Sequence, residues 1–179
     1  MPSPVAHASL ILLSSPLLAR ARFEPSPRQR WGLLGVTLFA LLAPDLDFFL
    51  LAFFPKGGLI DHGTFTHSLV AGPVFALGFG LATGAWLRLP WRWMALVGLA
   101  CHWSHCLLDA ATRGRGVMLL WPFTQERIGT PFPLFYGAQW HDLFAFKQHA
   151  ITLATELGFA ALVAALAWWL RPPATTAAS

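Results

Sequence analysis

Long apolar runs separated by short polar segments dominate the pattern along this chain. Four runs approach the length of about 20 residues that a helix needs to cross a bilayer: residues 31–54, 69–87, 93–108 and 150–170. A fifth run, residues 5–19, is apolar but shorter, so it either spans thinly or packs against the others. The pattern predicts an all-α integral membrane bundle of four or five transmembrane helices. We expect one membrane-embedded domain over residues 1–171 and a disordered tail over residues 172–179.

Composition supports a membrane rather than an aqueous surrounding. Hydrophobic residues make up 56% of the 179 residues and charged residues 11%, whereas soluble domains usually carry about 25% charged residues. The net charge is +4, but the basic residues lie mainly at the ends of apolar runs, as membrane anchors do. We therefore expect the lipid bilayer as partner and no nucleic acid.

The N-terminal segment and the long segment before the last apolar run allow two further predictions. Residues 1–19 contain no Lys or Arg, unlike a secretory signal peptide, so the first apolar run is expected to belong to the mature fold. Residues 110–149 are rich in Pro and aromatic residues, which favour the headgroup level of a membrane. This segment is predicted to be a folded loop on the membrane surface.

Several ionisable residues interrupt the apolar runs at similar depth. A charge near the centre of a membrane helix costs about 2.5 kcal/mol or more. Counted from one end of each helix at about 1.5 Å per residue, the interruptions fall at roughly 18–24 Å. They are His7, Asp45, Asp47, His105, Asp109 and Glu156. A shared depth predicts one common site rather than scattered structural residues.

Two local motifs could supply ligands to that site. Asp45 and Asp47 follow Pro44, which breaks a helix locally and lets both carboxylates turn toward a cation; alternatively, one caps a half-helix and the other is solvated. His62 and His67 are five residues apart, and neutral imidazole is the commonest metal ligand; alternatively, His67 only lines a helix end.

The most specific stretch is residues 102–109. His105 and Asp109 are four residues apart, so on a helix they share a face and can chelate one ion. The alternative is a hydrogen-bonded pair without metal. His102 is one turn deeper and is expected to support rather than ligate. His7 is a weaker candidate, because a lone His in an apolar helix is more often a satisfied core residue. Thr66 is expected to cap the following helix.

In this order the motifs resemble the YdjM-like family of inner-membrane proteins, which are regarded as metal-dependent hydrolases. The resemblance rests on an early His (His7), Pro-Asp-x-Asp (residues 44–47), a Gly-x-x-Thr-His-Ser motif (residues 63–68), His-x-x-x-Asp (residues 105–109) and a Trp-Pro pair (residues 121–122). It implies a membrane-bound, metal-dependent hydrolase in the inner membrane, as a multi-pass protein.

Together these inferences predict a metal site and a reaction. The predicted metal ligands are His7, Asp45, Asp47, His62, His67, His105 and Asp109, and the candidate catalytic residues are Asp45, Thr66 and Asp109. Mixed nitrogen and oxygen ligands favour zinc, with manganese or iron as alternatives. We expect hydrolysis of a lipid or phosphoester through a metal-activated water, with Arg113 or Arg115 holding an anionic group. The alternatives are a cation or proton transporter and a non-catalytic metal-binding membrane protein.

Overall fold

The structure is a computed structural model that describes residues 2–20, 24–50, 53, 61–138, 142 and 144–172. Its α-helices are α1 Pro4–Ser9, α2 Ser14–Arg20, α3 Pro27–Leu42, α4 Asp47–Leu50, α5 Ala71–Leu87, α6 Trp91–Ala110 and α7 Phe146–Trp169. Three short 3-10 helices lie at Leu10–Leu13, Ala43–Leu46 and Phe65–His67. The described residues form no β-strand, only the isolated bridges Thr112–Phe135 and Val117–Ile128. The predicted all-α class is confirmed.

Two helical segments are long and apolar enough to be candidate membrane spans. They are Pro27–Phe49 and Phe146–Trp169, of 23 and 24 residues. Two further apolar helical segments, Pro4–Leu18 and Ala71–Leu87, are shorter. The number of four or five spans therefore stays a prediction. The predicted tail lies, apart from Pro172, outside the described residues.

Local signals explain where α3 begins and ends. Ser26 accepts a hydrogen bond from the Gln29 backbone N–H, and the Gln29 side chain accepts one from the Ser26 N–H. This is a capping box, and Pro27 follows it at the first helical position. The helix ends at Leu42 and continues as the 3-10 helix Ala43–Leu46. Pro44 has no N–H for an α-helical bond, so the predicted break at this proline is confirmed.

Helices α5 and α6 form the closest pair, and glycine permits their approach. A Cβ atom at Gly80 would lie 2.7 Å from both the Trp91 carbonyl oxygen and the Ala95 Cβ. Small residues of this kind let helices in a membrane pack backbone against backbone. Helix α3 packs on α6, and α1 contacts α3, α6 and α7. The main buried cluster is Leu33, Ala40, Leu41, Phe79, Leu87, Met94 and Cys101.

The predicted surface segment, residues 110–149, is folded where the structure describes it up to residue 138, whereas its last residues, from Phe146 on, belong to α7. Val117 and Leu119 are buried with Cys106 and Ala110 of α6, and Ile128 packs against them. Large apolar side chains of the same segment point outward, with Phe123 and Phe132 each 84% exposed. Its predicted place on the membrane surface stays a prediction.

Candidate metal centre

Four donor side chains from three separate segments converge in the interior. Asp45 comes from the 3-10 helix that follows α3, His67 from the 3-10 helix before α5, and His105 and Asp109 from α6. One ligand atom from each lies within 4.8 Å of the others. His67, His105 and Asp109 have fully buried side chains, whereas the Asp45 side chain is 20% exposed. His105 and Asp109 lie four residues apart on α6, the spacing from which the sequence predicts that both bind one ion.

The distances within this group are regular. His67 Nε2 lies 3.0 Å from Asp109 Oδ2, 3.5 Å from Asp45 Oδ1 and 3.3 Å from His105 Nε2. His105 Nε2 lies 3.4 Å from both Asp45 Oδ1 and Asp109 Oδ2. A tetrahedral zinc ion with bonds of 2.0–2.1 Å separates its ligand atoms by about 3.3 Å. The donor set therefore fits an ion of that size and geometry.

The tautomers of the two imidazoles follow from their other ring nitrogens. His105 Nδ1 lies 2.7 Å from the Leu41 carbonyl oxygen, which can only accept, so Nδ1 carries the proton and donates. That carbonyl belongs to the last turn of α3, where carbonyls have no helical partner. His67 Nδ1 lies 3.0 Å from Thr66 Oγ1 and 3.3 Å from Asp47 Oδ2. In their neutral forms both imidazoles thus present Nε2 lone pairs to the cluster, as outer hydrogen bonds arrange in metal sites.

When both imidazoles are neutral, acceptor atoms therefore face acceptor atoms in a buried space. Asp45 Oδ1 and both oxygens of Asp109 are buried and have no hydrogen-bond partner among the described residues. Without an ion, the carboxylates of Asp109, Asp45 and Asp47 outweigh burial and raise the pKa of His67 well above the usual value, so a proton on this imidazole offsets part of their charge. Buried charges are stable only when paired or coordinating a metal. The arrangement consequently favours a cation.

Asp47 lies beside this group but has its own donors. Thr66 Oγ1 donates to Asp47 Oδ2 at 2.7 Å, and the Gly63 N–H donates to the same oxygen at 3.4 Å. His62 Nδ1 lies 2.5 Å from Asp47 Oδ1, and the Phe48 ring stacks on His62. Asp47, His62 and His67 form a second possible metal-holding group. In it, unlike in the first group, protein donors already engage both carboxylate oxygens.

His7 reaches the first group from α1. Its Nε2 lies 3.5 Å from Asp109 Oδ1, and its ring stacks on that of His105 with centroids 3.8 Å apart. Neither ring nitrogen of this buried His has a hydrogen-bond partner among the described residues. The seven predicted ligands thus lie in two adjoining groups that share His67, with His7 at the edge of the first group.

Three other residues considered from the sequence, Thr66, His102 and Glu156, belong to neither group of possible ligands. The expected N-cap role of Thr66 is wrong, because α5 begins at Ala71 and it is Ser68 Oγ that accepts the Ala71 N–H, at 3.0 Å. His102 lies 3.2 Å, through Nε2, from the Ser68 carbonyl, so it contacts the segment that carries His67. Glu156 shares the predicted depth but accepts hydrogen bonds from Ser3 instead.

Sequence reasoning missed a pair of contacts that hold the His62 loop. Arg127 donates to the carbonyls of His62, Gly63 and Gly116 at 3.1–3.4 Å, and Arg115 donates to the His62 carbonyl at 3.0 Å. Both guanidinium groups also lie within 4 Å of Asp61. Burial and the neighbouring Arg115 lower the pKa of Arg127. No local motif marks Arg127, since its partners lie more than ten residues away.

The fold and the cluster together define a class: an apolar helical protein with buried His and Asp groups that could hold a metal ion. The chain belongs to the YdjM inner membrane protein family, whose sequence profile matches residues 4–174. It is similar to the inner membrane protein YbcI of Escherichia coli (strain K12), with 31% identity over 176 residues that cover 95% of this chain and 92% of the relative. No solved structure matches it. The family resemblance predicted from the motifs is confirmed.

Proposed function

We propose that this protein is a multi-pass inner-membrane hydrolase that uses a divalent metal ion, zinc by preference, on a lipid or phosphoester substrate. One observation carries the proposal: two imidazole lone pairs and two carboxylates converge at 3.0–3.5 Å in a buried space. Without a metal ion only a proton on His67 would offset the buried carboxylates, whereas a divalent ion would offset both charges and accept both imidazole lone pairs. Membership of the YdjM inner membrane protein family supports the location.

His67, His105 and Asp109 would hold the ion as fully buried ligands, with Asp45 beside the fourth position. Catalytic zinc sites usually have three protein ligands and one open position. Asp45 is the partly exposed member of the group, so this corner is where a substrate and a water could enter. A metal ion here would supply Lewis-acid polarisation of the scissile bond and a lowered pKa for water. Asp45 would then orient that water or accept its proton.

Asp47, His62 and Thr66 have supporting roles in this proposal. Thr66 and Asp47 fix the His67 ring with Nε2 toward the cluster, as carboxylates behind zinc-binding His residues do. The Thr66 hydroxyl donates to Asp47, so its proposed contribution is to position His67 rather than to react. The proposed metal centre is therefore the group of Asp45, His67, His105 and Asp109, whose buried carboxylate oxygens accept no hydrogen bond from the described residues.

The membrane setting favours a substrate with a lipid part. Large apolar side chains are exposed along the helices, among them Leu77, Leu81, Leu162 and Trp168. In lipid these side chains face acyl chains, and we propose that α5 and α6 also span, giving four or five crossings with the N-terminal helices. A lipid-linked phosphoester would reach a site at this depth by lateral diffusion, and its phosphate could approach the exposed guanidinium of Arg115.

The first experiment is elemental analysis of detergent-solubilised protein beside Asp109→Ala and His67→Ala, with Asp142→Ala as a control. Asp142 is an exposed loop carboxylate far along the chain from the cluster. We expect about one equivalent of zinc or manganese in the wild type and the control, and none in the two cluster variants. A well-folded wild type that stays metal-free after incubation with zinc and manganese would contradict the proposal.

Activity is then measured on phospholipid micelles and on a chromogenic phosphodiester. Turnover that depends on the metal and is lost in Asp45→Asn, with metal still bound, supports the hydrolase. Metal binding without turnover on any substrate indicates the non-catalytic alternative. Metal-dependent uptake into proteoliposomes without hydrolysis indicates the transporter.

A further inference from the structure

Glu156 is a fully buried carboxylate in the middle of α7 that the proposed chemistry does not use. Its Oε1 accepts the backbone N–H of Ser3 at 2.5 Å, and its Oε2 accepts the Ser3 hydroxyl. These partners are 153 residues apart in sequence. A carboxylate inside an apolar helix is costly and usually marks a function. We therefore expect the contact between Glu156 and Ser3 to have a functional role.

The serine is the N-cap of α1. Its hydroxyl oxygen accepts the Val5 N–H, and Pro4 occupies the first helical position. α1 has only six residues, too few for a helix to be stable by itself in isolation. The two hydrogen bonds from Ser3 to Glu156 therefore anchor the start of a short helix to the long helix α7.

The short helix carries His7 into the cluster. His7 lies one turn after Ser3 on α1, is fully buried and stacks on His105 beside Asp109. α1 lies between α7 on one side and α3 and α6 on the other. The place of the His7 ring thus depends on where α7 holds the N-terminus of α1.

We propose that Glu156 is a positioning residue for the metal centre: by holding the N-cap Ser3 it fixes α1, and so sets His7 against Asp109. The inference rests on the proposed metal site. It assigns Glu156 no contact with the ion, since Glu156 belongs to neither of the groups of described residues that could hold one. Helix α7 then contributes to the metal site through the N-terminal segment.

The test measures how fast bound zinc is released to a colorimetric chelator from the detergent-solubilised full chain. Glu156→Leu removes both acceptors, and Ser3→Ala removes the hydroxyl bond to Glu156 together with the N-cap bond from Val5. Thr152→Val is the matched control, because Thr152 is buried on the same helix one turn away but donates to the Gly137 carbonyl rather than to α1. His7→Ala gives the effect of losing the positioned ring itself.

We expect Glu156→Leu and His7→Ala to release zinc about 10-fold faster or more, a typical effect of outer contacts on metal affinity. Ser3→Ala should give a smaller increase, and Thr152→Val none. The double variant Glu156→Leu with His7→Ala should be no faster than His7→Ala, because both act through one ring. The visible spectrum of the cobalt-substituted protein should change in the same way in both single variants.

Other outcomes separate the two proposals. Zinc bound by the wild type but released from Glu156→Leu at the wild-type rate overturns the positioning role and leaves the metal site intact. Additive rates in the double variant overturn it too, because the two residues would then act independently. A wild type without metal overturns both. If Glu156→Leu does not fold, Ser3→Ala decides: an unchanged release rate in that variant contradicts the proposal.

Discussion

Asp47→Asn distinguishes one metal ion from two. Asp47 Oδ2 lies 3.3 Å from His67 Nδ1, and Thr66 Oγ1 donates to the same oxygen. The other oxygen lies 2.5 Å from His62 Nδ1. If Asp47 supports His67 rather than binding metal, the substitution should lower the metal affinity of the site without removing an ion. If Asp47 is a ligand, the same change should remove one.

The magnitude follows from the donors around the carboxylate. An amide has one acceptor and one donor end, so in Asp47→Asn one of the two oxygen positions becomes an NH2 group, and the protein donors that this oxygen accepted lose their acceptor. Loss of one hydrogen bond to a charged group costs about 1.5–3 kcal/mol. We therefore expect zinc affinity to fall about 10-fold to 100-fold, with the stoichiometry unchanged at about one ion.

The assay combines elemental analysis with competition against chelators of graded zinc affinity. Wild type, Asp47→Asn and the ligand variant Asp109→Asn are compared in the same detergent, with Asp142→Asn as control for the loss of one charge. Two equivalents in the wild type and one in Asp47→Asn would refute the reasoning, since Asp47 would then hold an ion of its own. Unchanged affinity in Asp47→Asn would refute the proposed support of His67.

Three further outcomes follow from the structure. Zinc at about 1,000 times its Kd should stabilise the wild type by about 4 kcal/mol, seen as a higher thermal unfolding temperature, while Asp109→Asn should show no such shift. Gly80→Ala should lower the unfolding temperature, because its Cβ would lie 2.7 Å from the Ala95 Cβ. Gly78→Ala should be neutral or stabilising, because a Cβ there would meet nothing within 4 Å. Equal effects of the two substitutions would contradict the close α5–α6 contact. Arg127→Gln should cost about 1.5–3 kcal/mol by removing charged donors from loop carbonyls, measured by thermal unfolding, and an unchanged midpoint would contradict that role.

Local patterns predicted the parts of this molecule that depend on neighbouring residues. The helix containing His105 and Asp109, their shared face and the break at Pro44 all follow from spacing within a few residues. The shared depth of Asp45 and Asp109 also followed, because rise per residue converts sequence position into height along a helix. These features require no knowledge of which helix packs against which.

Long-range contacts explain what the sequence did not predict. Glu156 has the same depth as the cluster, yet it pairs with Ser3, because depth alone does not give the direction in which a helix face points. Arg127 lies in a loop without periodicity and contacts Gly63 across 64 residues. The N-cap assigned to Thr66 was wrong because a 3-10 helix at Phe65–His67 delays the start of α5 to Ala71, too far along the chain for Thr66 to accept from its first N–H groups.

The end of α3 at Leu42 has a consequence for what evolution can vary. The group that sets the tautomer of His105 is a main-chain oxygen, that of Leu41, and every amino acid at position 41 would supply the same oxygen. A substitution of the Leu41 side chain should therefore leave the tautomer of His105 unchanged. What must be kept is the register at which the helix stops, so an insertion or deletion of one residue upstream of Pro44 would disturb the centre more than many substitutions within it.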